Sequence, residues 1–242
     1  MLVSAAVLPH PPGLVPEVAA GAANELEAVR VACAAALHKV LAADVDLVVV
    51  VGSGSEMTSF ASGAAGSLAG LGVPVQAALP GAPPERVATL PTSLAVGAWL
   101  MQRHEGWPPL RAEALPTTVT PKDAAALGQR WAAAAERVAI IAMGDGSAGL
   151  TLKAPGYLVD GAQLWQKQIT QALADVELEV IRDIEPADAA KFVAAGRPAW
   201  QALAGAAETA STARGRWRGE LLADESPYGV AYVVATWTWE PA

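Results

Sequence analysis

Short apolar runs alternate along the chain with longer alanine-rich stretches that mix polar and apolar positions. Three runs, at 2–8, 47–51 and 138–143, are continuous enough to be strands buried on both faces. The stretches between them have the periodicity of amphipathic helices. This alternation is typical of βαβ units around a mainly parallel sheet, and we predict a three-layer α/β/α fold with a mixed central sheet.

The remaining elements are weaker and are predicted from apolar spacing and turn residues. Helices are expected at 16–41, 93–103, 122–137, 161–174, 186–194 and 198–207, and further strands at 73–79, 110–115, 216–222 and 230–239. The Gly-, Ser- and Ala-rich stretch 52–72 is predicted to be a long loop with a helical turn. No charged or Ser/Pro-rich linker interrupts the pattern, so residues 1–242 are predicted to form one domain.

Composition and charge exclude several classes of function. Hydrophobic residues make up 53% of the chain, and the excess is mostly alanine, as expected for close-packed helices encoded by a high-GC bacterial gene. No apolar run approaches the roughly 20 residues needed to cross a bilayer, and the first residues lack the basic region of a signal peptide. We therefore expect a cytoplasmic protein without a membrane partner. The formal net charge of -8 disfavours nucleic acid as a partner, and the single cysteine, Cys33, excludes an intrachain disulfide.

Candidate chemistry lies just after the three strongest strands. Ligands of open α/β sheets bind beyond the carboxyl ends of the strands, so segments 8–12, 52–56 and 144–150 are expected to converge. Together with one tyrosine before the last strand, they supply the side chains predicted to border a cleft. These are His10, Ser53, Ser55, Glu56, Asp145, Ser147 and Tyr228.

Several motifs, in the order in which they occur, resemble the LigB-like class III extradiol ring-cleavage dioxygenases. The first is the His-Pro-Pro turn followed by Leu-Val-Pro-Glu, from His10 to Glu17. The others are Gly-Asp-Gly-Ser at 144–147, Ala-Pro-Gly-Tyr at 154–157, Gly-Arg-Pro-Ala-Trp-Gln at 196–201 and Ser-Pro-Tyr-Gly-Val at 226–230. The resemblance spans nearly the whole chain and implies the same three-layer fold.

Active members of that family hold one Fe(II) with two histidines and a carboxylate, and a further histidine does acid/base work. His10 matches the first metal ligand. The segment of the second histidine offers only Ser53, Ser55 and Glu56, and Ala148 stands where the acid/base histidine would be. The resemblance therefore implies a degenerate site to which no catalytic residue and no resident cofactor is assigned.

Three hypotheses follow, and only one of them makes the chain an enzyme. In the first, the protein is a catalytically degenerate relative that keeps a cleft for a small molecule or a partner. In the second, His10 holds Fe(II) or another divalent ion with Glu56 or Asp145, and the protein acts on a catechol-like substrate. One histidine with two carboxylates would favour Mg²⁺ or Mn²⁺ over iron.

The third hypothesis is a subunit of an oligomeric assembly, such as a homodimer that pairs through an exposed C-terminal strand carrying Trp237 and Trp239. Structural alternatives accompany the site residues. His10 could bond the backbone of its turn, and Asp145 could stabilise its own loop. His38 and His104 lie away from strand ends and are interpreted as surface residues.

Overall fold

A computed structural model of the protein describes residues 1–84, 88–210 and 214–242. Its centre is a seven-stranded mixed sheet, and a separate two-stranded sheet lies beside it. The seven strands are β1 (Leu2–Leu8), β2 (Leu47–Ser53), β3 (Thr58–Ala61), β6 (Leu110–Leu115), β7 (Val138–Met143), β8 (Gly215–Glu225) and β9 (Tyr232–Pro241), and the small sheet pairs β4 (Ala65–Ser67) with β5 (Gln76–Ala78).

The central strands are parallel and the outer strands are antiparallel. The order across the large sheet is β3-β6-β2-β7-β1-β9-β8, and β6, β2, β7 and β1 all run in the same direction. Ile140 on β7 pairs with Ala5 on β1 and with Val49 on β2. The expected neighbourhood of these three strong strands is confirmed, and their carboxyl ends lie at one edge of the sheet.

Eight α-helices pack around this sheet within the described residues. They are α1 (Pro16–Ala19), α2 (Glu27–Leu41), α3 (Thr92–Met101), α4 (Pro121–Ala132), α5 (Ala162–Asp175), α6 (Leu178–Arg182), α7 (Pro186–Lys191) and α8 (Arg197–Ala210). None of the described helices is long and apolar enough to cross a membrane.

The alternation of side chains along each strand produces two hydrophobic layers. On β2, Val48 and Val50 face the layer of α2 and α3, while Val49 and Val51 face the layer of α4, α5, α6 and α8. All four valines are fully buried. Because both faces are covered, β2 consists of consecutive apolar residues instead of alternating ones. The predicted three-layer α/β/α architecture is confirmed.

Helices α4 and α8 approach each other closely because glycines lie at their contact. A Cβ added to Gly128 on α4 would lie 1.7 Å from the carbonyl oxygen of Ala202, and one added to Gly205 on α8 would lie 2.3 Å from that of Ala125. Each glycine therefore contacts the backbone of the opposite helix. No larger side chain fits there without moving one of the helices.

Several element boundaries differ from those predicted. The expected helix at 16–41 is divided into α1, a 3-10 segment (Ala20–Leu26) and α2, and Ala20 at the division has a positive φ of 49°. The Arg30 guanidinium holds this division in place because it donates to the carbonyl oxygens of Leu14 and Ala23, at 3.4 and 2.6 Å. Helical periodicity gives no information about such contacts between separate segments.

Other corrections also arise from tertiary contacts. The stretch 52–72, predicted to be a loop, contains β3 and β4 because β6, far along the chain, and β5, just after this stretch, supply their hydrogen-bond partners. The helix predicted at 122–137 ends at Ala132, and α6 was not predicted. The C-terminal strand β9 is not an exposed edge, because it lies between β1 and β8, and Trp237 on it is fully buried.

Candidate functional site

His10 and Asp145 meet at the carboxyl edge of the sheet. They follow β1 and β7, which are adjacent and parallel, and the Gly144 N–H donates to the Leu8 carbonyl at 2.8 Å. This register brings the two turns together. The His10 backbone N–H donates to Asp145 Oδ1 at 2.6 Å, and His10 Nε2 lies 3.3 Å from Asp145 Oδ2. Both carboxylate oxygens of Asp145 are thus directed at His10.

The pair is largely removed from water. His10 is 7% exposed, and the Asp145 side chain is 15% exposed. Burial raises the pKa of the Asp145 carboxyl, and the charge and backbone N–H of His10 offset only part of that rise. His10 Nδ1 is buried and has no hydrogen-bond partner among the described residues. It is the ring nitrogen of the pair that the described residues leave without a hydrogen bond.

Two tyrosines extend the site on the side of β9. Tyr232 begins that strand and is 3% exposed, and its hydroxyl oxygen would lie 3.9 Å from a Cβ placed on Gly13 in the turn after His10. Burial raises the pKa of Tyr232, and the charge of Asp145 adds to the rise. Tyr228 is half-buried, and its hydroxyl donates to Glu25 Oε2 at 3.0 Å. Tyr232 therefore lies near the turn that follows His10 and within electrostatic reach of the Asp145 carboxylate.

Ser147 lies inside the protein instead of on a cleft wall. It is completely buried, its hydroxyl donates to the Phe192 carbonyl at 2.7 Å, and the same oxygen accepts from the Gly149 N–H at 3.1 Å. Its backbone N–H donates to Gln166 Oε1 at 2.7 Å. Ser147 and Gln166 thus fix the loop that holds Asp145, which is a structural role.

The residues after β2 occupy a groove beside the start of α3. The Ser53 carbonyl accepts a hydrogen bond from the Ser93 hydroxyl at 2.6 Å, which ties β2 to that helix. Ser55 and Glu56 are exposed and line the groove together with Thr89 and Pro91. They share the sheet edge with His10, but none of their described hydrogen bonds or ion pairs joins them to the His10 and Asp145 pair.

The described side chains do not fit a metal centre of the family's type. No group of three or more His, Cys, Asp or Glu side chains in the described ranges is close enough together to hold a metal ion. His10 and Asp145 form a pair, and they are directed at each other. His38 is exposed, as expected of a surface residue, whereas His104 is only half-exposed and its Nε2 is buried.

Tyr232 and Trp200 were missed as site residues. Trp200 on α8 is fully buried, its indole nitrogen has no partner among the described residues, and it would lie 2.6 Å from a Cβ on Gly144. Trp200 belongs to the family-like motif at 196–201, and Tyr232 lies two residues after the motif at 226–230. Membership of, or closeness to, these motifs was the signal in the sequence that could have found them.

Asp145→Asn is expected to raise thermal stability at neutral pH. The raised pKa of Asp145 means that the folded protein binds its proton more tightly than the unfolded chain does. The ionised form therefore destabilises the fold, and the wild type loses this part of its stability as the pH rises through the pKa of Asp145 in the folded protein. We expect the melting temperature to rise by about 3 °C at pH 7, roughly 1 kcal/mol for a chain of this length.

The matched measurement is the difference in melting temperature between variant and wild type from pH 3 to pH 8. Below the pKa of an unfolded aspartate, both states are protonated and the difference should disappear. The carbonyl oxygen of the introduced amide would still accept from the His10 N–H, so the turn is expected to persist. A difference independent of pH, or a less stable variant at pH 7, would contradict the assigned burial of the carboxylate.

Comparison with known proteins supports the fold and gives no function. No model of a known protein family matches the chain, and no curated protein sequence matches it. The crystal structure of an uncharacterized protein, JW3007 from Escherichia coli K12, is similar in fold, with a TM-score of 0.61 and 14% sequence identity. The match covers 98% of this chain and 99% of that chain. The fold and site together define an α/β protein with a buried histidine and carboxylate pair at the carboxyl edge of its sheet.

Proposed function

We propose that this protein is a catalytically degenerate relative of the class III extradiol dioxygenases that keeps its cleft to bind a small molecule or a partner. The observation that carries the proposal is the pair of His10 and Asp145. It lies where ligands bind in this class of sheet, and His10 Nδ1 is buried and unpartnered among the described residues.

The donor set argues against iron chemistry. An Fe(II) site of the facial-triad type needs about three protein ligands, and no third His, Cys, Asp or Glu joins the pair within the described residues. Asp145 Oδ1 already accepts the His10 N–H at 2.6 Å. Ala148, which stands in place of an acid/base histidine, has no group that transfers a proton. The hypothesis of a metal-dependent enzyme thus lacks a third protein ligand and an acid/base group among the described residues.

The free nitrogen of His10 indicates how a ligand would be recognised. In the tautomer of a neutral imidazole that carries its proton on Nε2, the nitrogen 3.3 Å from Oδ2, Nδ1 is a hydrogen-bond acceptor. A hydroxyl or amine group of a ligand could donate to it. The nearby Tyr232 hydroxyl can both donate and accept, so the site suits a small polar molecule with a donor group.

Anaerobic titration with Fe(II), followed by oxygen uptake in the presence of catechols, tests whether the protein lacks iron-dependent ring-cleavage activity. We expect weak iron binding and no substrate-dependent oxygen consumption. Ala148→His is expected to restore nothing, because an acid/base group acts only on a substrate that is held at the metal. Tight one-to-one iron binding, with oxygen consumption that disappears in His10→Ala, would favour the metal-dependent alternative instead.

Retention of the cleft needs a separate measurement. Catechol, added in the absence of oxygen, serves as a probe. The NMR resonances of the His10 ring nitrogens report whether a catechol hydroxyl approaches Nδ1. We expect saturable shifts at His10 and none at the exposed His38, which is the internal control. His38→Ala should leave the titration unchanged. If catechol and simple phenols leave the His10 resonances unmoved at every concentration, a small-molecule cleft of this kind is ruled out.

A further inference from the structure

Strand β8 is a long, open edge of the sheet. It has 11 residues and is the last strand in the sheet order, so its inner side pairs with β9 and no described strand covers its outer side. Half of its backbone N–H and C=O groups therefore face outward, as on any edge strand. The opposite edge, β3, has only four residues. Of the two edges, β8 offers the longer template for another strand.

Charge is distributed unevenly along β8. Its beginning is basic, with Arg216 and Arg218, and both guanidinium groups share one carboxylate, Glu240, at 2.9 and 3.6 Å. Its end is acidic, with exposed Asp224 and Glu225. When such a strand is placed antiparallel to a copy of itself, the basic half of each lies against the acidic half of the other. The strand is thus complementary in charge to its own reversed copy.

A bulge puts the charges on matching faces. The pairing of β8 with β9 shifts register between Leu221 and Ala223. As a result, Arg216 lies opposite Glu240 and Glu225 opposite Tyr232, both even-numbered positions of β9 that share one face of the sheet. Without the extra residue, Arg216 and Glu225 would lie on opposite faces. With it, Arg216 of one copy and Glu225 of another can lie side by side across an antiparallel pair.

We propose that two copies of this chain associate through the outer edges of β8, antiparallel to each other, so that one sheet continues through both copies. Backbone hydrogen bonds between the strands hold the pair, and the reversed charges set its direction and register. Edge strands that remain single are usually short, covered, charged or bulged. Strand β8 is long and uncovered by any described strand, and its charges and its bulge match those of its own reversed copy. The proposal is independent of the ligand site at His10.

Charge reversal tests the register. The solution mass, measured by light scattering across a concentration series, is expected to show a dimer. Arg216→Glu with Arg218→Glu should weaken dimerisation roughly hundredfold, since like charges then face each other. Adding Glu225→Lys to the same chain should restore it, because Glu225 shares the face of Arg216 and Arg218, whereas Asp224 pairs with Val233 and faces the other side of the sheet. Lys122→Glu with Arg130→Glu, which reverses equal charge on exposed positions of α4, is the control and should leave the dimer intact.

A cross-link tests the edge itself and does not depend on the charge variants folding. Leu221, 41% exposed near the middle of β8, lies close to the expected two-fold axis, and the only cysteine of the chain, Cys33, is fully buried. Leu221→Cys is expected to form an intermolecular disulfide under mild oxidation, whereas Ala61→Cys on the β3 edge should not. A monomeric wild type, a dimer indifferent to the β8 charge reversals, or equal cross-linking from both edges would overturn the proposal.

Discussion

Gly128→Ala is expected to destabilise the protein by about 3 kcal/mol, at the upper end of the usual effect of overpacking. The added methyl group would lie 1.7 Å from the Ala202 carbonyl oxygen and 2.7 Å from its carbon. Both atoms belong to the backbone of α8, which cannot rotate away as a side chain would. Relief therefore requires α4 and α8 to separate, and this would loosen the layer that covers Val49 and Val51.

Urea denaturation of Gly128→Ala and of a matched glycine variant separates crowding from ordinary helix propensity. Gly21 lies in the 3-10 segment after α1, and nothing lies within 4 Å of the position of its Cβ. Gly21→Ala is expected to change the free energy of unfolding by less than about 1 kcal/mol. If Gly128→Ala is as stable as the wild type, α4 and α8 do not cross at the described distance.

Arg197→Ala is expected to be more damaging still, with a loss of about 4 kcal/mol. The Arg197 side chain is 1% exposed, and its guanidinium donates to Gln201 Oε1 at 2.6 Å and to the carbonyl oxygens of Thr117 and Val119. Removing it would leave two buried acceptors, Gln201 Oε1 and the Val119 carbonyl, without this donor and would open a cavity. The loop between β6 and α4 would lose its attachment to α8.

Two further arginine variants test whether the loss of stability is due to the buried hydrogen bonds of Arg197. Arg197→Lys keeps the charge but has no planar fork of donors, so we expect an intermediate loss of unfolding free energy. Arg130→Ala removes an exposed arginine from α4 and is expected to change that free energy by less than about 0.5 kcal/mol. Equal losses for Arg197→Ala and Arg130→Ala in denaturant would show that the buried hydrogen bonds contribute little.

Arg197 and Ser147 show that residues of the family-like motifs can have structural roles. Both belong to the segments that carry the family resemblance, yet both side chains are buried and bond the backbone of other elements. His10 and Asp145 belong to the same kind of segments and face each other. A motif alone does not distinguish these roles, since the distinction depends on which side of the turn each side chain lies.

The sequence by itself determined the order and type of the main elements. Continuous apolar runs predicted β1, β2 and β7 because a strand buried on both faces has no polar positions, and helical spacing predicted most of the helices. It also determined that the turns after β1 and β7 would meet, because parallel neighbours end at the same edge. The pairing of His10 with Asp145 follows from that rule.

Only the tertiary structure decided the features that depend on hydrogen-bond or packing partners in other segments of the chain. Strand β3 exists because β6 supplies its hydrogen bonds, and the helix predicted at 16–41 is interrupted where Arg30 binds two carbonyl groups. The position of β8 at the edge, and of Trp237 inside, depends on the insertion of β9 next to β1. These features depend on contacts between residues far apart in the chain, and local periodicity carries no information about such contacts.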